Sequence, residues 1–298
     1  MPEELDMNTG STAVIFRISA FKRFRRVFIS RKIVIFGLII IALLIIAAVF
    51  APVIAPYDPD KQDLNSLLVQ PSQQHLLGTD ALGRDTLSRI IYGARVSLIV
   101  GITAIAMAGI IGMSLGLIAG YFGGMTNSII MRCIDALMSL PMMVLVLVIA
   151  ALLGGGLKNV VIALGVSGVS MYARMMCGQT LSIKENDYIV AGRAMGASHF
   201  RIMLHHLLPN CFPPMIVLMT MQMGTMILAE AGLSFLGVGV QPPTPAWGAM
   251  VTDGYRYLFT NPMLSFAPGL AVVLVVFAFN MVGDGLRDAL DPRLRGKI

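Results

Sequence analysis

Few side chains in this sequence could carry out chemistry, and most are excluded by their spacing. A phosphate-binding loop needs GxxxxGK followed by Ser or Thr, so that backbone N–H groups cradle the phosphates. The string Gly154, Gly155, Gly156, Leu157, Lys158 lacks that spacing, which excludes ATP binding by a P-loop. Adjacent His205 and His206 could reach a metal ion, but neighbouring helix positions point to different sides. All four histidines, His75, His199, His205 and His206, lie outside the long apolar runs and read as solvated or interfacial imidazoles. Cys133, Cys177 and Cys211 fall in or beside apolar runs and form no CxxC pair, so neither a disulfide framework nor a zinc site is indicated. With no HExxH and no GxSxG, the chain is expected to be non-catalytic and to bind no cofactor or metal.

Two acids inside apolar runs remain. Asp135 lies one turn from Arg132, a spacing that suits a structural ion pair near a membrane edge. Glu230 continues a helical stripe with Met219, Met223 and Met226, at spacings of four, three and four. Such a stripe either lines a cavity that could take a peptide's amino group or is simple packing, and the sequence leaves both open.

The elements that position these residues follow from composition. The 298 residues are 56% hydrophobic and 13% charged, with mean hydropathy +0.80. That is about half the charged fraction of soluble domains, which excludes an ordinary soluble enzyme, a disordered chain and a disulfide-built module. A bilayer core about 30 Å thick takes roughly 20 apolar residues per helix. Six runs qualify: Ile33 to Ala55, Val96 to Ala119, Ile129 to Leu153, Asn159 to Ile183, Asn210 to Ala229 and Leu264 to Val282. The expected fold class is an all-α integral membrane protein with six transmembrane helices. Gly101, Gly109, Gly112 and Gly116 in the second run permit close helix contact.

Lys and Arg set the direction. Seven of them, Arg17 to Lys32, precede the first run, which begins too late and runs too long for a cleaved signal peptide. With both termini cytoplasmic, 16 of the 22 Lys and Arg residues fall inside, as the positive-inside tendency requires. The organisation expected is a basic cytoplasmic segment 1–32, a first span 33–55, an external segment 56–95, a five-span core 96–285 and a cytoplasmic tail 286–298. Within the external segment, Gly78 to Leu98 reads as a helix-like run. A second outer stretch, Gly237 to Pro262, holds the only tryptophan, Trp247, expected to anchor at the bilayer edge. A change of Gly254 in that stretch to leucine is expected to be milder than the same change at Gly196 in the inside loop.

The inside loop between the fourth and fifth runs is the most distinctive segment. From Asp187 to His199 it carries Ala191, Gly192, Ala194, Gly196 and Ala197, and it continues through His205, His206, Leu207, Leu208 and Pro209 to Asn210. Each glycine costs a helix about 1 kcal/mol relative to alanine, so docking against a partner would have to supply what local propensity lacks.

These residues resemble the EAA motif of ABC-importer permeases, with Gly196 at the central glycine and Leu208 and Pro209 at the closing pair. Val190 stands in place of the glutamate, Gly192 of the second alanine and His206 of the usual isoleucine, departures that resemble the dipeptide, oligopeptide and nickel permease family. Similar stretches run through most of the chain: HLLGTDALGRDTLSR from His75, MRCIDALMSLP from Met131, EAGLSFLGVGVQPPTPAWGAM from Glu230 and GDGLRDALDP from Gly283. The resemblance implies a type I ABC importer permease fold in the bacterial inner membrane. It further implies a C-type subunit paired with a sister B-type permease, two ATPase subunits that use ATP, and an external solute-binding protein. The coupling helix, about 187–200, would seat in the ATPase through Tyr188, Ala191, Gly192, Arg193, Gly196 and Ala197, with Leu208 and Pro209 closing the motif. The solute, a dipeptide, oligopeptide, glutathione or nickel chelate, would be chosen by the binding protein. A self-contained secondary transporter should show charges near mid-bilayer and matched broken helices, and an intramembrane enzyme a catalytic pair at membrane depth.

Overall fold

A computed structural model describes Phe28 and residues 31–290. Most of the basic segment 1–32 and the end of the tail 286–298 lie outside the described residues. The described chain is helical, with a single isolated bridge between Thr79 and Asp85 as its β-structure. The long helices are α1 (Lys32–Val49), α3 (Thr86–Phe122), α6 (Leu157–Ile183), α9 (Leu208–Phe235) and α11 (Met263–Leu290). Shorter ones are α2 (Ala51–Ile54), α4 (Gly124–Met138), α5 (Met142–Leu153), α7 (Asp187–Ala194), α8 (His199–Arg201) and α10 (Trp247–Tyr255). Five helices are long and apolar enough to cross a bilayer, and a sixth crossing is made if α4 and α5 count as one.

That pair corrects the third expected span. The run Ile129 to Leu153 is not one helix: α4 and α5 meet at an angle of 87°. Pro141 supplies the reason, because its ring disfavours helical backbone at the residue before it and it has no N–H to donate. The Arg132–Asp135 pair is corrected as well. Asp135 instead receives the guanidinium of Arg174 from α6, so the break is braced between helices rather than along one.

The centre of the fold is α3 against α6. Ala108 faces Gly168, Gly112 faces Tyr172, Gly116 faces Met176 and Gly120 faces Thr180, so the two helices run parallel with a constant offset. A Cβ on Gly112 would lie 2.5 Å from the Val169 carbonyl oxygen and one on Gly116 2.3 Å from that of Ala173. Small residues every fourth position therefore let the two backbones touch, the arrangement that replaces hydrophobic driving force in a membrane. α9 closes the other side of α3, with Met223 and Met219 filling the space above Gly101 and Gly109.

Outside the spans, residues 56–85 fold into a cap. The helix expected from Gly78 starts only at Thr86, because Asp85 acts as N-cap and accepts from the Ser88 N–H and hydroxyl, both at 2.8 Å. Gly78 and Gly83 before it have positive φ and turn the chain. His75 is not a solvated imidazole: its Nδ1 lies 2.9 Å from Asp85 Oδ1. In the same cap, the Asn65 N–H and the Ser66 hydroxyl hold the exposed Asp63 carboxyl below the usual carboxylate range. Arg95 donates to the carbonyls of Ala48 and Val49, satisfying the C-terminal end of α1.

Trp247 is also corrected. It is 2% exposed, its indole N–H donates to the Ile90 carbonyl at 3.0 Å, and it fills the notch left by Gly93. It locks α10 to α3 rather than anchoring in lipid. At the inner end, Arg31 pairs with Asp288 at 2.7 Å, joining the start of α1 to the end of α11. The topology has a direct test. In a Cys133→Ser background, cysteine at Asp60 should react with an impermeant thiol reagent from outside and cysteine at Asn186 only from inside. Labelling of both from one side would reject the arrangement.

Candidate functional site

The EAA-like segment sits at the inner end of the helices, between α6 and α9. Its α7 is one short amphipathic helix in which Ile189 alone is buried. The helix ends after Ala194, so the expected continuous helix over 187–200 is corrected to two arms around a turn. The Gly196 N–H donates to the Arg193 carbonyl at 3.0 Å and the Ala197 N–H to the Gly192 carbonyl at 3.1 Å. This is the Schellman pattern, which needs a left-handed residue one position past the cap. Gly196 supplies it with φ +79°. The central glycine of the motif is therefore a helix stop. Ser198 then caps α8, accepting from the Arg201 N–H at 3.3 Å.

Between α8 and α9 the chain widens into a π-helical turn, Ile202–Leu207. Pro209 cannot donate to the His205 carbonyl, and a π turn absorbs such a missing ladder bond. Leu208 and Pro209 thus form the first turn of α9. Pro213 and Pro214 follow within the same helix.

An apolar cluster fixes this segment to the membrane helices. Ile189, Ile202 and Leu207 pack with Leu117 and Tyr121 of α3, Met176 of α6, and Cys211 and Met215 of α9. The Tyr121 hydroxyl shares a hydrogen bond of 2.7 Å with His199 Nδ1, and the Arg193 guanidinium lies 5.0 Å from the centre of the Tyr121 ring. Lys184 Nζ donates to the Gly120 carbonyl at 3.0 Å. The outer edge of the segment is apolar: Tyr188, Val190, Met195 and Phe200 are 47%, 52%, 83% and 67% exposed. Nothing lies within 4 Å of a Cβ placed on Gly192 or Gly196. Apolar side chains beside bare backbone make a surface that a close-fitting protein could cover. Of the expected residues, Tyr188, Ala191, Gly192, Arg193, Gly196 and Ala197 gather here, while Leu208 and Pro209 lie beyond the π turn.

The methionine stripe lies elsewhere. Met223, Met226 and Glu230 are buried and Met219 is half-buried, and the methionine tips rest on Gly101, Gly109 and Gly168. The stripe is packed inside this chain and does not line an open cavity within it. Glu230 Oε1 accepts from the Ser234 hydroxyl at 2.8 Å, and Ser234 Oγ accepts from the Val240 N–H at 3.1 Å. The carboxyl thereby ties the end of α9 to the returning loop. Among the described residues no group of His, Cys, Asp and Glu is placed to hold a metal ion.

Residues 112–296 match the family described as binding-protein-dependent transport system inner membrane component. The chain belongs to that family. Residues 19–71 match a second description, the N-terminal TM domain of oligopeptide transport permease C. The dipeptide transport system permease protein DppC of Alkalihalophilus pseudofirmus is 42% identical, over 95% of this chain and 92% of its own length. The glutathione transport system permease protein GsiD of Escherichia coli O157:H7 is 43% identical, over 93% and 90%. Among solved structures, the inward-facing MetNI methionine ABC transporter in its native crystal form aligns with TM-score 0.55 and 21% identity, covering 69% of this chain and 98% of that one. The transport component therefore has the type I importer fold.

Several of its site residues were not legible beforehand. Tyr121 ends an apolar run and carries no motif, and His199 looks like any interfacial histidine. The one available signal was the Gly123, Gly124 pair, which marks the helix end and so places Tyr121 at the inner surface.

Proposed function

We propose that this transport component is the C-type permease subunit of an ATP-driven importer for peptides or peptide-like solutes. It works with a sister B-type permease, two ATPase subunits that bind and hydrolyse ATP, and an external solute-binding protein. The observation that carries the reading is the exposed apolar edge at Tyr188, Val190, Met195 and Phe200 beside the bare backbone of Gly192 and Gly196, on the face where the positive-inside count puts the cytoplasm. ATP binding closes the ATPase pair, the coupling segment moves with its groove, and the attached helices shift towards an outward-open state. The nucleotide acts by population shift, through its differential affinity for the two states. This chain contributes the wall of the pathway and the joint, and it binds no nucleotide. The solute class rests on relatives that are dipeptide and glutathione permeases.

The test is reconstitution in proteoliposomes. The complete set of subunits should take up labelled dipeptide only with ATP, and unlabelled glutathione added as competitor decides between the two solute classes. The isolated chain should show no saturable ATP binding. Saturable binding by the isolated chain, or uptake that needs neither ATP nor ATPases, would overturn the reading.

A further inference from the structure

We propose that Tyr121 is a positioning residue for transport: it grips both arms of the coupling segment and makes α3 the rod that delivers the segment's displacement to the outer cap. This inference rests on the importer reading above.

The grip spans the Gly196 turn. Arg193 lies before the turn and stands over the Tyr121 ring at 5.0 Å, within range of a cation–π contact. His199 lies after the turn, bonds the hydroxyl at 2.7 Å and meets the ring edge-on at 5.6 Å between centroids. Tyr121 itself is buried among Leu117, Met176, Ile189, Ile202 and Leu207. Moving either arm alone must therefore break a polar contact to the same ring, so the turn and the end of α3 move together.

What happens beyond that end depends on stiffness. Of the helices joined to the segment, α9 begins at a π turn and carries Pro213 and Pro214, whereas α6 is continuous for 27 residues without proline and packs along α3, so it backs that helix instead of yielding beside it. α3 is continuous for 37 residues without proline, about 55 Å at 1.5 Å per residue. Its far end is held by both outer segments. Arg89 donates to the Pro59 carbonyl at 2.9 Å and to that of Pro243 at 3.4 Å, and Trp247 donates to the Ile90 carbonyl. A displacement entering at Tyr121 has no hinge along α3 in which to dissipate. It emerges at the cap, on the face where the external binding protein arrives. Coupling of this kind needs direct evidence beyond spatial continuity, and the geometry supplies a clean variant: Tyr121→Phe keeps the ring under Arg193 and removes only the bond to His199.

The experiment uses the reconstituted complex in a Cys133→Ser background with Leu82→Cys as an outer reporter, since Leu82 is exposed on the cap. Dipeptide uptake, ATP hydrolysis and labelling by an impermeant maleimide are measured, the labelling with and without vanadate-trapped nucleotide. Tyr121→Phe should retain its ATPases and hydrolyse ATP at the wild-type rate. Uptake per ATP should fall about two- to tenfold, the range of one neutral hydrogen bond, and the vanadate-dependent change at residue 82 should shrink. His199→Ala should do the same, and the double variant should be no worse than either single, as expected when two residues act through one contact. A wild-type ratio and labelling change in Tyr121→Phe would overturn the inference while leaving the importer reading intact, as would a double variant whose loss is the product of the singles. Absence of ATP-dependent uptake by the wild-type complex would overturn both.

Discussion

Gly196→Leu is expected to abolish most uptake, by tenfold or more, while the chain inserts in the membrane at normal levels. Two terms combine at this position. A leucine at φ +79° costs about 1–2 kcal/mol in backbone strain, enough to unwind the Schellman turn and release the carbonyls of Gly192 and Arg193. The same leucine would project from the exposed edge, where nothing in this chain lies within 4 Å, directly into the surface proposed for the ATPase. The spans are untouched, so insertion should proceed. Gly196→Asn separates the terms, because asparagine tolerates the left-handed region but still adds bulk: partial recovery of uptake would assign the loss to the backbone. Gly178→Leu is the control, since Gly178 is exposed on α6 with ordinary φ and open space around it. Gly254 is not a fair control, contrary to what its place on an outer stretch suggests. A Cβ there would lie 2.5 Å from the backbone of Leu264. Copurification of the ATPases beside vesicle uptake is the measurement, and wild-type values of both in Gly196→Leu would remove the coupling role from this segment.

The apolar runs were legible because the bilayer imposes a length and a polarity that few other environments do, while the direction rests on the distribution of Lys and Arg and on the labelling test above. The places where the reading failed share a cause: each depends on which surface meets which. Arg132 stood at the right spacing for Asp135, but a helix from elsewhere in the chain brought Arg174 closer. Trp247 has the chemistry of an interfacial anchor, yet Gly93 on a distant segment leaves a notch that takes the N–H edge of the indole. Pro141 was visible within the third run, and a proline preceded by Ser139 and Leu140 is compatible with either a kink or a full break. The pair that braces the break, Asp135 and Arg174, joins two helices and could not be paired from spacing. The coupling segment failed in the opposite way. Its composition showed correctly that it is a poor helix, but whether glycine there weakens a helix or ends it depends on the two carbonyls that the turn caps, and those are a matter of φ.

Gly116→Leu should have the largest effect on the fold itself. A glycine can look replaceable when its surroundings are soft, and the glycines of α3 divide on that point. At Gly101 an added Cβ would meet side chains only, the end of Met223 with Cε at 2.8 Å and Sδ at 3.2 Å and Ile227 Cγ1 at 3.3 Å; the methionine can swing aside at little cost and the isoleucine need give only a few tenths of an ångström. At Gly116 it would meet the Ala173 carbonyl oxygen at 2.3 Å, the Met176 Cβ at 2.8 Å and the Ala173 carbonyl carbon at 3.0 Å. None of those atoms can move without moving α6. The helices would have to separate along the ladder that Gly112 and Gly120 share, and in lipid no hydrophobic force draws them back, since contact is won only by close packing and interhelical hydrogen bonds. Overpacking of a core costs typically 1–3 kcal/mol when side chains can adjust. Here the backbone is the obstacle, so Gly116→Ala should already lose on the order of 2 kcal/mol, and leucine should prevent the folded chain from accumulating. Gly101→Ala should differ little from wild type. Thermal unfolding of the purified alanine variants in detergent, read beside membrane levels of Gly116→Leu, decides the matter. Equal midpoints for Gly101→Ala and Gly116→Ala would mean that α3 and α6 do not touch backbone to backbone, and the parallel glycine ladder would have to be abandoned.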